Sequence, residues 1–276
     1  MTGAAAGSGR WADLSRRLIS TVVLLAIGIV LAMASGIWLR MGMAVIIGIT
    51  FWELARLTGW RHPEMHDTPF GRWRPLGLAV LAGGAVYTSL NFFDEWGPVV
   101  LLIPVLAGLP GAAQGNRWVF AVFGLAILLV GFGLVGFREV LGLPFVLWLM
   151  GIVITSDIAG YFAGKIIGGP KFWPRLSPKK TWSGTAAGWV GALIVGAVLV
   201  ATGAGDPALL WISPLVAFAG QMGDIAESWL KRRAGVKDSS NLIPGHGGFM
   251  DRFDAITGAT LAVMAIGLIA TLPRVL

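Results

Sequence analysis

The sequence predicts an all-α, polytopic integral membrane protein, and three observations carry that expectation. Hydrophobic residues fill 56% of the 276 positions and charged residues only 13%, with a mean hydropathy of +0.77. A soluble domain carries roughly a quarter charged residues, so an ordinary soluble globule is excluded. The apolar residues gather in runs close to the roughly 20 residues that a helix needs to cross a bilayer core. The basic residues are divided very unequally between the two sides of those runs. Disorder is excluded as well, because it requires low hydrophobicity. Cysteine is absent, which removes disulfides, thiolate metal sites and a cysteine nucleophile. The three histidines, His62, His66 and His246, leave little for an all-histidine metal site.

Nine runs are candidate spans: Leu18–Ala34, Ile37–Leu57, Leu76–Asn91, Gly97–Leu109, Trp118–Phe137, Pro144–Ala163, Thr185–Gly203, Leu209–Leu230 and Phe253–Leu272. The fourth is short and holds Pro104, which suggests a tilted, kinked or partly re-entrant segment. Organisation then follows as an N-terminal segment over residues 1–17, N-terminal helices over 18–143 and a C-terminal region over 144–276. With nine spans, 18 of the 21 basic residues fall on one side, and only Arg40, Arg138 and Arg274 on the other. The positive-inside rule makes the first side cytoplasmic, with the N-terminus inside and the C-terminus outside. Arg10, Arg16 and Arg17, the apolar run and Ala32-Met33-Ala34 imitate a signal peptide and its cleavage site. A retained first helix is the favoured reading, since the run is long and another span follows at once.

Two polar stretches interrupt the hydrophobic pattern, Ser156–Gly184 and Gln221–Asp254, both on the expected cytoplasmic side. Asp224, Glu227, Ser228 and Lys231 are spaced i, i+3, i+4, i+7 and share one helix face. Asp157, Tyr161 and Lys165 repeat every four residues, and Asp251 and Asp254 open the last helix. A carboxylate at membrane depth is costly and faces a polar interior, so three carboxylate-bearing helix ends suggest one hydrated pocket. Carboxylates without cysteine favour a hard cation with oxygen ligands, Mg²⁺ before zinc. Lys179, Lys180, Lys231, Arg232, Arg233, Lys237 and Arg252 add the positive charge that suits a metal–polyphosphate complex. Gly245, Gly247 and Gly248 around His246 would let backbone N–H groups approach phosphate. Taken singly, several of these features have plainer readings. Lys231-Arg232-Arg233 reads as a positive-inside anchor, His246 as a loop hydrogen-bonder, Gly184–Gly203 as helix packing and Glu53 as an interfacial residue. Asp224, inside a span, reads as functional.

The combination resembles the phosphatidate cytidylyltransferase, or CDP-diacylglycerol synthase, family. That family's signature reads Ser-x-aliphatic-Lys-Arg, four residues, Lys-Asp, a short linker and His-Gly-Gly-x-x-Asp-Arg-x-Asp. This chain carries Ser228, Lys231-Arg232, Lys237-Asp238, His246-Gly247-Gly248, Asp251-Arg252 and Asp254, matching every fixed position over 27 residues. Upstream, Ser177-Pro178-Lys179-Lys180-Thr181 and Gly184 look like the family's Ser-Pro-Lys-Lys-Thr-x-x-Gly segment, with Ser183 where the family often has Glu. Asp157–Tyr161 resembles its Asp-x-x-Ala-Tyr segment with the Ala159-Gly160 order changed.

The resemblance implies Mg²⁺-dependent conversion of CTP and phosphatidate to CDP-diacylglycerol and pyrophosphate in phospholipid biosynthesis. It implies Asp224 and Asp251 as metal ligands, with Asp254, Glu227 and Asp157 as further candidates and K⁺ as a second ion. Asp224, Asp251, Lys231 and Arg252 would be catalytic. Lys179, Lys180, Thr181, Ser228, Arg232, Lys237, His246, Gly247 and Gly248 would bind substrate. The expected partners are CTP, phosphatidate, membrane lipids and a second copy of the chain, with no nucleic acid. A bacterial inner membrane is the expected setting. Two alternatives stand: another CTP-dependent lipid kinase or cytidylyltransferase, and an anionic-solute transporter that uses the carboxylates for cation coupling.

Overall fold

A computed structural model describes residues 5–59, 69–91 and 96–276, with the backbone alone for 5–17 and 69–72. His62, His66 and the side chains of Arg10, Arg16 and Arg17 lie outside the described residues. Among the described residues the regular structure is helical, apart from one hairpin. In order come α1 (Ala5–Met33), α2 (Gly36–Thr58), α3 (Pro69–Asn91), α4 (Gly97–Val100), α5 (Leu102–Gly108), α6 (Arg117–Gly136) and α7 (Leu143–Ile166). The hairpin β1 (Lys171–Trp173) and β2 (Ser177–Thr181) precedes α8 (Trp182–Ala201), α9 (Leu209–Arg233) and α10 (Met250–Ile269).

Six described helices are long and apolar enough to cross a membrane: α2, the segment around α6, α7, α8, α9 and α10. Two shorter apolar stretches, Leu18–Met33 and Gly97–Gly111, accompany them. The protein is therefore an integral membrane protein with several spans. The expected fourth span is two short helices meeting at Leu101, followed by a 3₁₀ turn over Leu109–Gly111. Pro98 and Pro104 each remove a backbone donor there. Fifteen helical residues would reach only about 22 Å, short of a ~30 Å hydrocarbon core.

Helix ends follow local chemistry. Thr181 caps α8 through its hydroxyl, which accepts from the Gly184 N–H at 3.2 Å, so this helix starts three residues before the apolar run. A π turn over Phe137–Leu141 ends at Gly142, whose φ of +89° suits glycine, and α7 begins directly after it. At this end of the bundle Arg40 forms a two-pronged ion pair with Glu139, with hydrogen bonds of 2.9 and 2.7 Å, and also reaches Asn91. Arg138 donates to the Ala32 carbonyl at the end of α1. Two of the three basic residues expected outside, Arg40 and Arg138, thus stitch α1, α2, α3 and the π turn together.

Glycines set the closest helix approaches. A Cβ on Gly184 would lie 2.5 Å from the Gly160 carbonyl oxygen, which brings α7 and α8 together. The packing reading of the α8 glycines holds at Gly184, Gly188 and Gly191. In the α9–α10 crossing a Gly258 Cβ would meet the Ala219 oxygen at 2.1 Å, and a Gly223 Cβ would meet the Asp254 oxygen at 2.4 Å. Between the N- and C-terminal halves the core runs through Phe51, Leu54, Phe120, Leu128, Leu149 and Ile152, all fully buried. Gly258→Val should therefore spread α9 from α10 and lower the thermal unfolding midpoint in detergent by the equivalent of about 1–3 kcal/mol. An unchanged midpoint would contradict this account of the crossing.

Candidate active site

The α9–α10 crossing determines what stands beside it. Asp224 follows Gly223 on α9, and Asp254 carries the carbonyl that Gly223 approaches. One carboxylate oxygen each from Asp224, Glu227 and Asp254 lies within 4.8 Å of the others, and this group could hold a metal ion. Glu227 is buried, and among the described residues no neutral donor reaches its carboxylate. Its charge is met by the Lys231 ammonium, one turn along α9. Carboxylates this close repel one another unless a cation stands between them, so the group fits a hard divalent ion.

Lys231 also bonds Asp251 Oδ1 at 2.6 Å, and so joins α9 to the first turn of α10. Asp251 Oδ2 accepts from Gly248 N at 2.7 Å, Ser239 N at 3.0 Å and Ser239 Oγ at 3.0 Å. Asp251 stands outside the three-carboxylate group and organises the loop between α9 and α10. Gly247 has a φ of +80°, and a Cβ there would lie 2.5 Å from Asp251 Oδ2. On Gly248 it would lie 2.2 Å from Glu53 Oε1. In this structure both glycines make room for carboxylates.

Glu53 corrects the sequence reading. It is not interfacial but fully buried on α2, with 0% exposure. Its carboxylate accepts from Phe249 N at 3.0 Å, Met250 N at 2.7 Å, Ser240 Oγ at 2.5 Å and Ser239 Oγ at 3.2 Å. The anion thus meets the free N–H groups at the start of α10, where a helix favours negative charge. The signal available in the sequence was a lone carboxylate within an apolar run. Its partners lie nearly 200 residues away, with a separation of 197 for Met250, so no local spacing reveals them.

Beside Asp224 opens a cavity of about 410 Å³ between α7, α8, α9 and β2, lined among others by Asp157, Lys165, Lys179, Lys180, Thr181 and Gln221. That is within the size range of small-molecule sites. The β1–β2 pairing, with Lys171 opposite Thr181 and Trp173 opposite Ser177, delivers Lys179 and Lys180 to its rim. Lys180 pairs with Asp224 at 2.5 Å, while Lys179 is exposed. Thr181 is buried and occupied as the α8 cap. Gln221 is held by Trp189 Nε1, Ser156 Oγ and the Thr185 carbonyl. Asp157 lines this cavity, outside the three-carboxylate group.

The remaining residues surround this centre. Ser228 is 3.5 Å from Asp224 Oδ1, a weak contact. Both His246 ring nitrogens face α1, with Ser20 Oγ at 2.7 Å and Thr21 Oγ1 at 3.2 Å. Arg252 donates to the His246 carbonyl at 2.8 Å and Arg232 to the Val236 carbonyl at 3.2 Å. Lys237 is exposed in the same loop. Arg233 is tied to Gly115 and Asn116 and lies over the Trp229 ring.

A family model described as "Cytidylyltransferase family" matches residues 15–270. A phosphatidate cytidylyltransferase of Brucella suis biovar 1 is 32% identical over 277 residues, covering 95% of this chain and 96% of that protein. Another, from Pseudomonas aeruginosa, is 34% identical over 264 residues, covering 89% and 94%. A third, from Bacillus subtilis, is 42% identical over 118 residues, covering 41% and 44%.

Lys231 and Lys180 offer a comparison of buried and open ion pairs. The side chains of Lys231, Glu227 and Asp251 are only 13%, 4% and 5% exposed, against 26% and 30% for Lys180 and Asp224. Lys231→Met should cost about 3–5 kcal/mol, because two buried carboxylates lose their cation. Lys180→Met should cost under about 1 kcal/mol. Thermal unfolding in detergent checks both, and equal losses would refute the distinction.

Proposed function

The chain belongs to the cytidylyltransferase family, and from that premise we propose that it converts CTP and phosphatidate to CDP-diacylglycerol and pyrophosphate. The observation that carries this reading is the likeness to phosphatidate cytidylyltransferases along nearly the whole chain. It takes precedence over the lipid-kinase and transporter readings. The enzyme is a nucleotidyltransferase of phospholipid biosynthesis.

Asp224, Glu227 and Asp254 would hold Mg²⁺, with Asp251 beside them through Lys231. When bound, the ion neutralises and orients the phosphates of CTP. K⁺ as a second ion is supported by the family resemblance alone. A phosphate oxygen of phosphatidate attacks the α-phosphorus of CTP. The new P–O bond forms as the bond to the β-phosphate breaks, and pyrophosphate leaves. The attacking phosphate is already ionised near neutral pH, so no residue has to remove a proton.

The work of the side chains is neutralisation and placement. Lys179, Lys180 and Lys165 line the cavity beside Asp224 and suit a polyphosphate. Arg232, Lys237 and Arg252, at the end of α9, in the loop and at the start of α10, suit the lipid phosphate and the departing pyrophosphate, and Lys231 fixes Asp251 beneath them. His246, Gly247 and Gly248 shape that loop, Ser228 adjoins Asp224, and Thr181 fixes the lysine-bearing strand against α8. Lipid would enter from the bilayer and CTP from the cytoplasm. The orientation expected from the sequence, with the N-terminus inside and the C-terminus outside, would put the site on the cytoplasmic face. The basic residues gathered around the site favour that orientation. A homodimer in a bacterial inner membrane completes the reading.

Purified protein in detergent, given phosphatidate, Mg²⁺ and CTP labelled at the α-phosphorus, should move label into the lipid phase. Asp224→Asn should lower that rate by at least about 10²–10³-fold, as expected for the loss of one electrostatic stabiliser. A folded parent that transfers no label across several phosphatidates, with and without K⁺, would overturn the assignment.

A further inference from the structure

We propose that Glu53 is a positioning residue for the reaction: from the N-terminal half it holds the Ser239–Met250 loop in the conformation that cages Asp251. The proposal rests on the function above and assigns a role to a residue outside the family signature. Three observations carry it.

The first is the investment in one buried anion. Glu53 is completely excluded from solvent, yet four donors from one distant segment converge on it. A buried carboxylate is retained at such depth only when its charge is met by hydrogen bonds, and here the start of α10 and the two serines meet it. With 0% exposure and four hydrogen bonds, the side chain has little freedom.

The second is a shared proton. Ser239 Oγ lies 3.2 Å from Glu53 Oε2 and 3.0 Å from Asp251 Oδ2. A hydroxyl has one hydrogen, so the two carboxylates compete for it. The Ser239 backbone N–H and the Gly248 N–H also donate to Asp251. The residues that hold Asp251 therefore belong to the segment that Glu53 anchors.

The third is steric. A side chain at Gly248 would fall 2.1 Å from Ser239 Oγ and 2.2 Å from Glu53 Oε1. The loop thus closes directly on Glu53, with only hydrogen at that position. Asp251 in turn fixes Lys231, and Lys231 fixes Glu227 of the three-carboxylate group. Through these contacts Glu53 determines where the site's lysine and carboxylates stand.

The test uses Glu53→Gln, Ser239→Ala and the double variant in the full-length protein. Glutamine keeps the shape but turns one acceptor into a donor facing a donor. We expect kcat per folded molecule to fall at least about tenfold in Glu53→Gln, with KM for phosphatidate little changed. The double variant should be less impaired than the product of the two single effects, because both act on one network. Glu53→Asp, which keeps the charge, should recover part of kcat. A kcat within about twofold of the parent in Glu53→Gln, or fully additive effects, would overturn the proposal. If Glu53→Gln does not fold, Ser240→Ala and Ser239→Ala decide: reduced kcat in both supports the role, and parental kcat in both refutes it. If the folded parent shows no CTP turnover, the assigned reaction fails instead. Backbone hydrogen exchange over residues 239–250 then decides for Glu53. Faster exchange confined to that segment in Glu53→Gln supports the anchoring, and unchanged exchange rejects it.

Discussion

One ammonium group between two buried carboxylates fixes the geometry on which the rest of the site depends. Lys231 meets Glu227 on its own helix and Asp251 on the next. The approach of α9 to α10 through Gly223 and Gly258 puts these charges at a depth that little water reaches. At that depth an unpaired carboxylate is costly, so the lysine both permits the crossing and sets its rotation. Turning α10 away from Lys231 would strand Asp251 and carry Asp254 away from Asp224 and Glu227. The three-carboxylate group is therefore a consequence of helix packing, and the packing depends on the ion pairs.

The N-terminal half carries little motif, yet it supplies the frame against which this crossing is held. α2 contributes Phe51 and Leu54 to the core, and Phe51 meets Phe120 of α6 edge to face at 5.5 Å. Glu53 lies between those two buried side chains in sequence and faces the start of α10. At the opposite end of α2, Arg40 ties Glu139 and Asn91. One helix thus has a polar fixture near each end and an apolar middle. That pattern suits an element whose height relative to its neighbours must be constant.

Much of this was legible in the sequence, and the limits have physical causes. The apolar runs located the helices because the bilayer imposes length and composition on every span. The i, i+3, i+4, i+7 spacing put Asp224, Glu227, Ser228 and Lys231 on one face, and the signature over 27 residues brought in Asp251 and Asp254. The β1–β2 hairpin was not legible, because its strands are only three and five residues long and without regular alternation. The start of α8 at Trp182 depended on the Thr181 cap, which hydropathy does not register. Glu53 was misread because a carboxylate near the end of a span is ambiguous until its partners are known. Gly247 and Gly248 were read as making room for a phosphate, and in the structure they make room for Asp251 and Glu53.

The charge pattern also bears on how such a site accepts polyanions. Before any substrate arrives, Asp224 has Lys180, and Glu227 and Asp251 share Lys231. Lys180 is thereby held at the edge of the cavity that phosphates would enter, and Lys231 is held deeper, between α9 and α10. A nucleotide arriving alone would draw these lysines away and leave carboxylates exposed to one another. A cation arriving alone would displace them and leave ammonium groups unpaired in a partly buried setting. Arriving together, the two would let Lys180 pass from Asp224 to a phosphate as Asp224 turns to the metal, while Lys231 stays with Asp251 and keeps the crossing in place. Every charge then keeps a counter-charge, and the desolvation penalty for an unpaired ion is avoided throughout. The acidic and basic side chains together on α9 and at the start of α10 suit the metal–polyphosphate complex of the proposed reaction, and neither charge type alone would.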